Sequence, residues 1–167
     1  MRRALGISVH TGWGACVVTA GSLRHPQIIA SEVIEILPDA ERFCFHAAAE
    51  LDRVAAAAWI ARARSKALAS ASRALAPLIA HSVDVCAIVA KEGEPGDLGE
   101  ILGSHPRLHT AEGFFYRDVL RDACKIPVRI VVPSTLDASR VGKLAGPPWG
   151  RDQKLAALAA WTALGGA

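Results

Sequence analysis

Charge of either sign is in short supply as a net quantity in this 167-residue chain. Lys and Arg number 19 against 16 Asp and Glu, a formal balance of +3. So small an excess does not by itself define a nucleic-acid-binding surface. Aromatic residues amount to 5%, so the core must be built largely from aliphatic side chains and alanine. Every apolar stretch is interrupted by Arg, Asp, Glu or Pro before reaching the roughly 20 residues of a membrane span, and no membrane partner is expected. Cysteine is sparse and dispersed: Cys16, Cys44, Cys86 and Cys124 form no Cys-x-x-Cys pair and have no His at finger spacing. That distribution disfavours zinc and points to four buried free thiols in a reducing compartment. Met1-Arg2-Arg3 is basic but precedes a glycine-rich hairpin instead of an apolar leader, so a cytoplasmic protein without a signal peptide is expected.

What is present is a helix-rich, alanine-rich globular sequence, 51% hydrophobic and of a size for one domain over residues 1–167. Residues 4–9 and 15–20 are apolar runs joined through Gly12 and Gly14, a hairpin whose mouth exposes Ser8, His10 and Thr11. A third strand over 27–37 alternates Ile28, Ala30, Glu32, Ile34 and Ile36 with Ile29, Ser31, Val33 and Glu35. Residues 43–79 then read as helix, with Leu51, Val54, Ala58 and Ala61 at spacings of three and four and Pro77 marking a bend. Arg62, Lys66 and Arg73 fall on one face of it, either a solvated face or a row of phosphate contacts.

Residues 83–90 form a nearly unbroken apolar run, as expected of a strand buried on both faces. An acidic loop carrying Glu92 follows, at the strand end where α/β proteins place their sites. A helix is expected from Thr110 to before Pro127, with Phe114, Phe115, Val119, Leu120 and Ala123 inward and Glu112 in its first turn. A short fifth strand, 128–132, leads to a helix through Leu136 and Val141. The rigid loop Pro147-Pro148-Trp149-Gly150 precedes a last helix over 153–164, opened by Asp152 and ended by Gly165-Gly166.

This order, with Gly6-Ile7-Ser8-Val9-His10-Thr11-Gly12-Trp13-Gly14, resembles the ribonuclease H-like superfamily and most of all its RuvC-type Holliday-junction resolvases. The resemblance implies an α/β fold with a mixed five-stranded sheet, three antiparallel strands then two parallel, and helices on both faces. It also implies phosphodiester hydrolysis by two carboxylate-held Mg or Mn ions. The family's first Asp matches Ser8, its strand-four carboxylate matches Val89 or, with a slip, Glu92, and its final pair is matched by Asp152 alone. The resulting expectation is a nucleic-acid-associated protein that lacks the standard metal set, with branched or single-stranded DNA or RNA as partner.

Three alternatives accompany that expectation. In a divergent Mg-dependent nuclease, Asp152, Glu112 and His10 would be catalytic and Asp152, Glu112 and Glu92 would hold metal. In a nucleotide-binding module, Thr11-Gly12-Trp13-Gly14 would wrap phosphates as similar hairpins do in actin-like and sugar-kinase ATPases. In an assembly module, Trp149 and the alanine-rich helix would form a homodimer interface.

Overall fold

The computed structural model describes residues 1–165. Strand β1 (Arg3–His10) turns through Thr11 and Gly12 into antiparallel β2 (Trp13–Gly21), which pairs with antiparallel β3 (Pro26–Glu35). Gly12 makes that turn with φ at 87°, a conformation that side chains resist. On the other side of β1 lies parallel β4 (Val85–Val89), and parallel β5 (Val128–Val131) closes the sheet in the order β3-β2-β1-β4-β5. The mixed five-stranded α/β sheet is therefore the one expected.

Helices cover both faces, and β1 distributes its side chains between them by alternation. Leu5 and Ile7 join Cys16, Val18, Cys86 and Ile88 beneath α2 (Arg53–Ile79) and α4 (His105–Ala123). Ala4, with Val85, Ala87 and Val89 of β4, packs on Ala159, Ala160 and Ala163 of α5 (Arg151–Leu164). Small residues let α5 lie close to the sheet, so close that a Cβ on Gly6 would stand 1.8 Å from the Ala156 carbonyl oxygen. Trp161, fully buried, fixes the far end by donating its indole N–H to the Ala20 carbonyl at 3.1 Å.

Several boundaries differ from expectation. The long helix is two: a short α1 (Cys44–Ala48), then α2, which restarts where Asp52 accepts hydrogen bonds from the Val54 and Ala55 amides. Leu51, Val54, Ala58 and Ala61 face solvent, and the buried stripe of α2 is Ala56, Ala67, Ala71, Leu75 and Leu78. Pro77 sits within its last turn. Helix α4 starts at His105, more than a turn before Thr110, so Glu112 lies in its interior instead of its first turn. The unanticipated α3 (Leu98–Leu102) precedes it, capped by Asp97. The segment around Leu136 and Val141 makes only two short 3-10 turns, Pro133–Thr135 and Ala138–Arg140. Strand β3 stops at Glu35 because the next two amides, of Ile36 and Leu37, turn to the Gly12 carbonyl. Gly165 ends α5 in the left-handed conformation, and Gly166 lies outside the described residues. All four cysteines are free and buried. No described helix is long and apolar enough to cross a membrane.

Candidate functional site

Alternation along β1 puts Ser8 and His10 on the α5 side, and the first turn of α5 brings Asp152 to them. Asp152 Oδ1 accepts from Ser8 Oγ at 3.2 Å and lies 2.9 Å from His10 Nε2. The His10 ring is stacked on Trp13, its partner across the hairpin, with centroids 4.1 Å apart and planes 6° from parallel. Asp152 also gains from the free N–H groups and dipole of the helix start. The connectivity defines what this cluster can do. Both partners converge on one carboxylate oxygen, and the serine hydroxyl donates to the carboxylate instead of the imidazole, so Asp152 and not His10 is the group placed to take its proton. Beside Ser8 in the parallel ladder stands Val89, which packs on α5. That neighbouring strand end presents an isopropyl group.

Glu112 is directed elsewhere. Only 1% exposed, it accepts from the Phe45 amide at 2.8 Å and the His46 amide at 3.4 Å through Oε1. Oε1 also lies 3.3 Å from His46 Nδ1, and Oε2 accepts from Cys44 Sγ at 3.5 Å. It thus caps α1 from across the core, supplying the acceptor that Phe43, at the cap position, does not. Burial, and then the adjacent Glu112 charge, push the Cys44 thiol well above its ordinary range. Glu92 is exposed in the loop after β4, and Thr11 is half-buried in the hairpin turn.

A cavity of about 290 Å³ opens at the ends of β1 and β4, lined by Val9, Val89, Lys91, His109, Phe114 and Pro133 among others. Arg117 holds its rim by donating to the Lys91 and Gly93 carbonyls, both at 2.9 Å. Along α2, Arg62, Lys66 and Arg73 are exposed. Lys66 is paired with Glu41 at 2.6 Å, and Arg62 lies 5.9 Å from the ring centre of the partly exposed Trp59. Trp149 is half-buried and donates its indole N–H to the Gly142 carbonyl at 2.8 Å, within its own chain.

One cluster escaped the reading of the sequence. His46, His105 and His109 each bring a ring nitrogen within 4.8 Å of the others. The four-residue spacing of His105 and His109 was the visible signal, since it puts two imidazoles on one helix face. His46 comes from a separate helix, and only the fold brings it there.

The solved structure of T. thermophilus RuvC in complex with Holliday junction substrate superposes with a TM-score of 0.54 over 97% of this chain and 92% of that one, at 12% sequence identity. The fold is the ribonuclease H-like fold of RuvC. A second Thermus thermophilus RuvC structure matches at 14% identity, over 96% of this chain and 91% of that chain, with a TM-score of 0.48. No protein-family model matches the sequence, and no curated protein is significantly similar to it. In this RuvC-like fold, Ser8 of β1, Val89 of β4 and Asp152 of α5 meet at one end of the sheet.

Proposed function

We propose that this protein binds nucleic acid, with branched or single-stranded DNA as the first candidate and RNA as the second, and does not use paired-metal phosphodiester chemistry. The observation that carries this reading is the make-up of the sheet end. Among the described residues, Asp152 is the one carboxylate hydrogen-bonded to β1 at this end of the sheet, already engaged by Ser8 and His10, and the adjoining β4 position is Val89. Two divalent ions some 3.5–4 Å apart need bridging anionic oxygens to offset their mutual repulsion. One carboxylate and a neutral hydroxyl supply too little negative charge. Glu112 adds nothing there, because its oxygens serve α1. For contact with nucleic acid, exposed Arg62 and Arg73 offer phosphate partners, and Trp59 beside Arg62 offers a face for a base. Lys66 would exchange Glu41 for a phosphate.

Fluorescence anisotropy with a labelled four-way junction and a labelled single strand, in EDTA and in Mg across a salt series, tests this. The expected result is binding that weakens steeply with salt and is indifferent to EDTA. Replacing both Arg62 and Arg73 by Ala should lower the log–log salt slope by about 2. Junction cleavage in Mg or Mn that Asp152→Ala abolishes would establish the nuclease alternative. Absence of binding at low salt would remove the nucleic-acid reading.

A further inference from the structure

We propose that His46, His105 and His109 form a zinc site, with Glu112 as the carboxylate that fixes the His46 ring. His105 and His109 lie one turn apart near the start of α4, and their Nε2 atoms are 3.1 Å apart. Two imidazole nitrogens on a tetrahedral zinc, each bonded at 2.0–2.1 Å, are about 3.3 Å apart. These two rings therefore already hold nearly the separation that a shared ion imposes. His46 approaches from α1, its ring centroid 4.6 Å from that of His109 and 5.4 Å from that of His105. His105 and His109 are exposed, so water could satisfy their nitrogens without any convergence, and exposed rings have the rotamer freedom to close the remaining gap.

The second layer of the arrangement supports the same assignment. Metal-bound histidines ordinarily engage a carboxylate or carbonyl through the ring nitrogen that does not face the ion. Here His46 Nδ1 lies 3.3 Å from Glu112 Oε1, which reserves Nε2 for the metal. Glu112 is itself immobilised by the Phe45 amide and is 1% exposed. Its charge also opposes the positive end of the α4 dipole. Three imidazoles suit zinc and other late transition ions far better than Mg or Ca, which take oxygen ligands. Three protein ligands leave a fourth position for water or a ligand. His109 also lines the strand-end cavity, so the ion would sit at its border. The cysteine spacing that disfavours a zinc finger has no bearing on a site built from histidine alone.

Chelator-stripped full-length protein titrated calorimetrically with zinc chloride tests the proposal, with circular dichroism confirming that each variant is folded. The expected result is one zinc per chain, with binding more than tenfold weaker in His105→Ala and in His109→Ala and unchanged in His25→Ala. Glu112→Gln, which keeps an oxygen for the Phe45 amide, should lose about 10–100-fold. Cobalt should give the strong visible bands of four-coordinate ions in the parent and not in His105→Ala/His109→Ala. Zinc binding that is undetectable in the parent, or equally tight in that double variant, would overturn the site. None of these readouts depends on nucleic-acid binding.

Discussion

Gly6 has no room for a methyl group. Its missing side chain lets the Ala156 carbonyl approach to a point only 1.8 Å from where a Cβ would be, and backbone cannot yield as a flexible side chain can. Gly6→Ala should therefore cost about 3 kcal/mol or more, read as a lower urea midpoint at unchanged slope. His10→Ala should behave very differently. The pair it makes with Asp152 is more than a third exposed on the imidazole side, and such pairs contribute at most about 1 kcal/mol. The same urea measurement should show a loss below that value. Cysteine gives a third expectation at this scale. Burial pushes the Cys16 thiol far up, and burial together with Glu112 does the same to Cys44. Since the thiolate is the reactive form, a disulfide reagent should label these two only as fast as the chain unfolds.

Among the elements, α2 begins on a single acceptor. Asp52 Oδ1 takes the Val54 and Ala55 amides at 3.0 Å each, so Asp52→Ala should destabilise the protein by about 1 kcal/mol in chemical denaturation. The same helix explains where the sequence was legible and where it was not. Strands announce themselves through alternation and β-branching, and Val85–Val89 is readable because all five residues are apolar. Alanine carries little such information. In a helix where Ala56 is buried and Ala57 exposed, periodicity cannot choose the inward face, and the stripe through Val54 pointed outward. Helix starts were equally ambiguous. A start at Thr110 puts Glu112 in a first turn, whereas α4 begins at His105 and Glu112 is an interior residue aimed at α1. The meeting of Ser8, His10 and Asp152 was half legible. Alternation puts the first two on one face, whereas their contact with Asp152 depends on how closely α5 settles on the strand.

Taken as a whole, the molecule keeps the Cys16 thiol and the Tyr116 phenol inside, and this contributes to its response to alkali. Burial pushes Cys16 up, and it pushes Tyr116 up too, with Cys44 and Glu112 adding to the effect. Tyr116 donates its hydroxyl to the Arg42 carbonyl at 2.6 Å. The unfolded chain releases these protons near the ordinary values of about 8.5 and 10, whereas the folded chain retains them. The stability these two groups contribute is therefore at its full value below those values and falls as pH rises past about 8.5. Urea midpoints should be level from pH 7 to 8.5 and decline above, and Cys16→Ala should make the first part of the decline shallower. A last consequence follows from the bare strand position beneath α5. Ala156 and Asp152 are one helical turn apart, so Gly6 works as a depth gauge for the carboxylate at the rim. A helix lifted by one methyl group would carry that charge outward, and the His10 imidazole resonance would register a substitution buried four residues back along its own strand.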